Sequence, residues 1–364
     1  MNDWSAVPEH GPRFPDRRLG VAILGAGAIA QSAHLPAYAQ HGVDVVGVWS
    51  RDPARTDGIK ERFPDVRRLY GSAAELLTDP EVEIVDIATG PVGRLDLVAA
   101  AVRAGKHVLA QKPVVAEPDE IGVLEAILAE ATERGVRVAV NQNARWAPAW
   151  RVATRLIRSG AVGDVVGVTH LHDKPLPPIA GTPFDDVPHM LLTDYLVHWV
   201  DITRTWLEGR TVTTVTAQDS RVPGQPASAR NPWHATLSLA CDDGATALVR
   251  VVGDAHATQP GCPFWVHGTE GTIRGSVLGG SDAVTLERDG TRTSYVLQGQ
   301  WFVDGFAATL AELMSAVTED REPENSAAHV LATARLVFAA RDSAAAGGVP
   351  VHGATVLTTA GGTA

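Results

Sequence analysis

Cysteine is nearly missing. Cys241 and Cys262 are the only two in 364 residues, far apart and outside any CxxC spacing, which excludes a disulfide framework or a structural zinc site as the organising device. Basic side chains are in deficit: 31 Lys and Arg against 42 Asp and Glu leave a net charge of -11, which argues against a surface that tracks nucleic-acid phosphates. No apolar run reaches the ~20 residues that span a bilayer. The opening segment to residue 18, with Pro8, Pro12, Pro15 and several charges, has no signal-peptide core, so we expect a loose leading arm and a cytoplasmic protein with no membrane partner. No internal repeat is present. What the chain does have is 45% hydrophobic content, enough at this length for two ordinary cores.

The most informative stretch is an apolar run, Leu19 to Leu24, that breaks into Gly25-Ala26-Gly27-Ala28-Ile29-Ala30. This is a GxGxxA turn. Gly25 makes the tight bend out of a strand, Gly27 has no Cβ to hold a pyrophosphate off the backbone, and Ala30 lets the next helix lie close to the sheet. The free N–H groups at the helix start, around Ala28 and Ile29, then face phosphates. Any tight strand-to-helix turn favours small residues, so the motif gains its weight from context: a strand before, a helix to Tyr38 after, and a second strand at the expected distance.

That second strand, Val43 to Trp49, ends at Ser50-Arg51-Asp52-Pro53. A carboxylate here suits the ribose of NAD, whereas a small hydroxyl followed by Arg suits a 2′-phosphate. Ser50 and Arg51 lean toward NADP, with Asp52 keeping NAD open. Further strands are expected at Ile84 to Thr89, Lys106 to Gln111 and Val136 to Val140, separated by helices near 94–104 and 117–134. The alternation implies a mostly parallel sheet with ligands beyond the strands' carboxyl ends. Ala88, Thr89, Gln111, Lys112 and Asn141 lie at such ends and are expected at the cofactor.

After Trp146 the composition changes. A helix at 147–159 and a strand at 165–171 lead into a proline-stiffened loop, 173–188, of the kind that walls a site. From 211 to 297 apolar residues alternate with polar ones, and Cys241-Asp-Asp-Gly244 reads as a hairpin turn, so an antiparallel sheet is expected. Helices near 303–318 and 326–343 follow. The expected division is an arm at 1–18, a dinucleotide-binding α/β domain at 19–145, an α+β domain at 146–351 and a tail at 352–364.

One helix can carry chemistry. Over 189–207, Leu192, Leu196, Trp199, Val200, Thr203 and Leu207 share a face, while Asp194, His198 and Asp201 fall nearly opposite. An Asp four residues before a His can orient the imidazole and favour its protonated form, and such a His exchanges a proton near neutral pH. A surface pair or a buried structural His fits the same spacing. Metal binding is not indicated, because no further His or carboxylate stands at ligand spacing. Lys112 stands at the end of a central strand, and its bond to Pro113 is a candidate cis peptide; a surface lysine before a loop is the alternative.

Together these residues make the chain resemble the glucose-fructose oxidoreductase, inositol dehydrogenase and MocA family from about residue 18 to 351. The resemblance rests on the glycine turn, Ala104-Gly-Lys-His-Val108 leading into Lys112-Pro113, Asn143-Ala-Arg-Trp146, Asp194-xxx-His198 with Asp201, and His267-Gly-Thr-Glu-Gly271. It implies a Rossmann domain, then an α+β domain whose open sheet forms a homodimer or homotetramer, and a sugar or cyclitol substrate. It also implies catalytic roles for Lys112, Asp194 and His198: His198 as general base, Asp194 orienting it, Lys112 on the substrate oxygen. Arg145, Trp146, His189 and Tyr195 are expected in the pocket wall. Two departures stand out. Gln111 replaces the family's usual Glu before the lysine, and Gly90-Pro-Val-Gly-Arg94 lacks the His commonly found after the third strand. A nucleotide-responsive regulator of the same fold, or a lyase or glycosidase that oxidises transiently, are the alternative functions.

Overall fold

The computed structural model describes residues 4–253, 258, 260–278, 280 and 282–357. The chain divides into two compact units: residues 11–146 with 300–331, and residues 4–10 with 147–299 and 332–357.

The first unit is built on six parallel strands: β1 (Val21–Leu24), β2 (Val45–Trp49), β3 (Arg68–Leu69), β4 (Ile84–Ile87), β5 (His107–Gln111) and β6 (Val138–Asn141). Their order is β3-β2-β1-β4-β5-β6. β1, β4 and most of β2 are buried because helices cover both faces, which is why these strands read as continuous apolar runs. β3 is two exposed residues and carries no apolar signal to read. The strand order reverses between β1 and β4, the position at which sheets of this kind place a ligand.

A linear division at 145 does not contain this unit. Phe306, Ala307, Leu310, Leu313 and Met314, from the helix Phe306–Thr318, are buried in one core with Val21, Ile23, Tyr38 and Leu109. Beyond it, Asn325 pairs with the outer strand: Val140 N–H donates to its carbonyl at 2.8 Å, and its side-chain amide donates back to the Val140 carbonyl at 2.8 Å. Apolar area drives the return, and the exposed edge of β6 gains a partner.

The second unit carries nine strands: β7 (Val165–His172), β8 (Thr211–Ser220), β9 (His234–Cys241), β10 (Thr246–Val252), β11 (Cys262–Gly268), β12 (Gly271–Val277), β13 (Ala283–Arg288), β14 (Thr291–Tyr295) and β15 (Val351–Leu357). The order is β14-β13-β12-β11-β7-β10-β9-β8-β15, antiparallel except for the β7–β10 pair. Burial alternates along β9 and β10 as the period-two pattern requires. The helices Pro148–Arg158 and Val197–Trp206 pack on this sheet, over an aromatic core in which His170 stacks on Trp206 at 5.4 Å and meets Trp150 edge-on.

Two terminal expectations change. The leading arm is not loose: Tyr295 Oη donates to the Trp4 carbonyl at 2.7 Å, Arg288 lies over the Trp4 ring, and Gln298 N–H donates to His10 Nε2 at 3.0 Å. In the first unit, Arg17 pairs with Glu83 and Phe14 packs on His41. The expected tail begins with β15, which pairs with β8 at Val351↔Val215, so an unpaired edge recruits it; the rest of that tail lies outside the described residues.

Candidate functional site

The glycine turn leaves β1 as the spacing requires. Gly25 has φ +107°, and a Cβ there would sit 3.0 Å from Thr89 Cγ2 and 3.1 Å from the Ala88 carbonyl. Only glycine fits, and it fixes the turn against the end of β4. Gly27 has an ordinary backbone, and a Cβ there would approach only Arg55 Nη1, at 3.4 Å. Its bare face is therefore open, which is what a pyrophosphate needs in order to reach backbone N–H groups. The helix starts at Ala28, with Ala28 exposed and Ile29 half-buried, runs through one wide turn over Ala30–His34 and continues to Gln40.

Ser50 is buried at the end of β2, and Arg51 and Asp52 are exposed. Asp52 accepts from Ala54 N–H at 3.2 Å and pairs with Arg55 across 3.5 Å. Arg55 and Gln31 are residues the sequence reading passed over. Gln31 Nε2 donates to the Ala26 carbonyl at 2.8 Å and the Arg55 carbonyl at 2.9 Å, so it sews the segment 53–56 onto the glycine turn and holds a guanidinium over it. No motif position marks either residue.

At the other strand ends, Lys112 is half-buried and its bond to Pro113 is cis. Gln111 is buried and its side-chain oxygen accepts from Lys112 N–H at 3.2 Å. Ala88 is buried, and the buried hydroxyl of Thr89 has no hydrogen-bond partner in the protein. Asn141 is fully buried and reaches inward, its amide 3.4 Å from His34 Nε2. His34 bonds Asp86 at 2.6 Å and Tyr38 donates to the same carboxylate oxygen at 2.6 Å, forming a polar cluster under the sheet. Burial first, then the Asp86 charge, holds the Tyr38 phenol well above its ordinary pKa.

In the second unit the six residues expected on one helix face are all buried. From Met190 to Leu207 only Thr193, Asp194, Tyr195 and His198 keep appreciable exposure. Asp201 does not join that strip. It is buried, accepts from Thr333 Oγ1 at 2.7 Å and lies 3.9 Å from Arg204, because the helix Ala327–Ala345 covers a second side. The strip begins in a wide turn, Leu191–Tyr195, that passes into the regular helix at Val197.

Tyr195 stacks on Trp199 at 5.8 Å and its hydroxyl lies 2.7 Å from His172 Nε2. Burial, and then the Lys174 charge, push the His172 pKa down to about 4, while burial raises the Tyr195 phenol. Both are neutral at pH 7. His172 ends a strand and carried no distinguishing sequence signal.

The remaining wall residues separate. His189, at φ +51°, lies before the helix and pairs with Asp219 at 2.8 Å. Arg145 and Trp146 are buried in the first unit, where Arg145 donates to the Glu324 carbonyl. The proline loop is held by Asp185, which is 1% exposed and accepts from the N–H groups of Gly181, Arg230 and Asn231 at 2.9–3.1 Å.

Comparison with known proteins matches residues 19–142 to the Gfo/Idh/MocA oxidoreductase family, NAD-binding Rossmann fold, and residues 150–274 to a C-terminal domain of that family. D-apiose dehydrogenase of Paraburkholderia graminis is 29% identical over 284 residues, 76% of this chain and 72% of that protein. Inositol 2-dehydrogenase of Acidothermus cellulolyticus is 31% identical over 193 residues, 53% of this chain and 54% of that one. An oxidoreductase from Agrobacterium radiobacter, solved with NAD+, L-tartaric acid and magnesium, superposes with a TM-score of 0.80 at 24% identity, over 92% of this chain and 98% of that chain.

Proposed function

Because the chain belongs to the Gfo/Idh/MocA family of NAD-binding oxidoreductases, we propose that it interconverts a secondary alcohol and a ketone on a sugar or cyclitol. The substrate class follows the relatives named for apiose and inositol. The observation that supports catalysis most directly is the strip of Asp194, Tyr195 and His198, half-buried along a turn and helix whose other residues, Thr193 apart, are buried from Met190 to Leu207.

The bare face at Gly27 and the helix start at Ala28 and Ile29 hold the pyrophosphate, with Gly25 fixing the turn. Ser50, Arg51 and Arg55 receive the adenosine ribose. Two guanidinium groups beside a single Asp52 carboxylate favour a 2′-phosphate, so NADP is the preferred dinucleotide. Ala88, Thr89, Gln111 and Lys112 flank the nicotinamide, and Asn141 supports them from the buried side. When bound, the nicotinamide takes up or supplies the hydride.

His198 accepts the hydroxyl proton at an imidazole nitrogen, and Asp194 holds that ring and stabilises its protonated form. The Lys112 ammonium donates a hydrogen bond to the substrate oxygen as negative charge develops there. Tyr195 and His189 contribute to the substrate wall. Arg145 and Trp146 are buried in the first unit and are assigned no contact with substrate.

The uncovered face of the second sheet, with Thr214, Thr216, Ser238, Ala240, Thr246 and Leu248, serves as the homodimer or homotetramer surface. Light scattering of the wild type and Leu248→Lys tests this reading, and an unchanged mass rejects it. Among the described residues no helix is long and apolar enough to cross a membrane, and Cys241 and Cys262 are unpaired and buried, which suits a reducing cytoplasm.

The deciding experiment follows the reduction of NADP+ and NAD+ against a panel of sugars and cyclitols. Tight dinucleotide binding with no turnover on any of them favours a nucleotide-responsive regulator. Products formed with only catalytic cofactor favour a transient-oxidation lyase or glycosidase.

A further inference from the structure

Arg94 is an unexpected residue at its position. It is 1% exposed and opens the helix Arg94–Arg103, where the positive end of the helix dipole disfavours a cation. Its cost there is offset by two carbonyls: one guanidinium nitrogen donates to Thr89 O and another to Pro113 O. These carbonyls belong to the segments that follow neighbouring strands. β4 and β5 are paired through Ile87↔Ala110, and beyond that register the ladder ends. Thr89 lies two residues past the last rung on one strand, and Pro113 three residues past it on the other, immediately after Lys112. The Arg94 fork therefore continues the cross-strand connection where the backbone no longer can, tying the segment after β4 to the residue that follows Lys112. The guanidinium presents a separate nitrogen to each oxygen from one rigid plane, whereas an ammonium must serve both from a single point on a flexible stem.

We propose that Arg94 is a positioning residue that fixes the direction in which Lys112 leaves the sheet. This rests on the catalytic reading of Lys112 given above. The test is Arg94→Lys, which keeps the charge and removes the fork. Amide hydrogen exchange of residues 89–93 and 114–116 is read by mass spectrometry, beside dinucleotide affinity, kcat and KM.

The expected result is exchange in those segments faster by about tenfold or more, with the β1 and β4 amides and dinucleotide affinity unchanged. The kcat falls on the order of 10–100-fold at nearly constant KM, the size of loss that a small misplacement of a catalytic group produces. Unchanged exchange overturns the proposal. So does faster exchange with an unchanged kcat, or a loss of kcat that merely tracks lost affinity and melting temperature. If Arg94→Lys does not fold, Arg94→Gln is judged by the same criteria. A wild type inert on every alcohol removes the catalytic reading, while the exchange comparison still decides whether Arg94 holds the Lys112 segment.

Discussion

Replacing Gly27 by alanine, and Gly25 by alanine in parallel, separates ligand binding from folding within one turn. At Gly27 the backbone is ordinary and the added methyl meets only the tip of Arg55 at 3.4 Å, a flexible group that can swing aside. The stability change is expected within about 0.5 kcal/mol of zero. The methyl nevertheless stands between the phosphate and the N–H groups that would bind it. Losing one hydrogen bond to a charged group costs about 1.5–3 kcal/mol, or roughly 10- to 150-fold in Kd. Gly25→Ala reverses the balance. At φ +107° a side chain is strained, and the Cβ would press on the Ala88 backbone at 3.1 Å. A loss of about 1–3 kcal/mol in stability is expected from the backbone alone. Fluorescence titration with NADPH and NADH, alongside denaturant melts, reads both quantities. A folded Gly27→Ala protein that binds both dinucleotides as tightly as wild type refutes the assignment of this face to the pyrophosphate.

Arg55→Ala is expected to weaken NADP+ by about 10- to 100-fold through loss of a charge-assisted bond while leaving NAD+ nearly unchanged; equal losses for both would assign Arg55 to the pyrophosphate instead. Lys112→Ala and His198→Ala should keep dinucleotide affinity and lower kcat by about 10²–10⁴-fold, and steady-state rates that stay at the wild-type level in both would remove the mechanism. Asp185 supplies a pH prediction. Burial opposes its charge, but the N–H groups of Gly181, Arg230 and Asn231 outweigh burial and lower its pKa. A depressed folded pKa gives stability that is present above the ordinary carboxylate value near ~4 and is lost as pH falls through the folded value. Asp185→Ala should therefore destabilise at pH 7, by about 3 kcal/mol, and by less as the pH falls below the ordinary carboxylate value near ~4; a destabilisation that stays constant throughout the acid range would contradict it.

The amino-acid sequence alone determined the glycine turn, the parallel apolar strands, the alternating second sheet and the helix bearing His198, but not the wide turn that carries Asp194. Each is a local pattern whose period or spacing forces one backbone solution. The cis bond at Lys112–Pro113 was legible for the same reason, since only proline makes it accessible. Tertiary structure decided the rest. Asp201 shares the helical spacing of His198, yet a second helix buries it, and no periodicity within one helix reveals what covers its flank. The return of Phe306–Thr318 to the first core and the recruitment of β15 are set by apolar area and open edges contributed by distant segments. Arg55, Gln31 and Arg94 likewise gain their roles only from carbonyls and turns brought beside them by folding. A hydrogen-bond partner 24 residues away for Gln31, or 19 for Arg94, leaves no mark on local sequence, because the side chain is chosen by a neighbour that only the folded chain supplies.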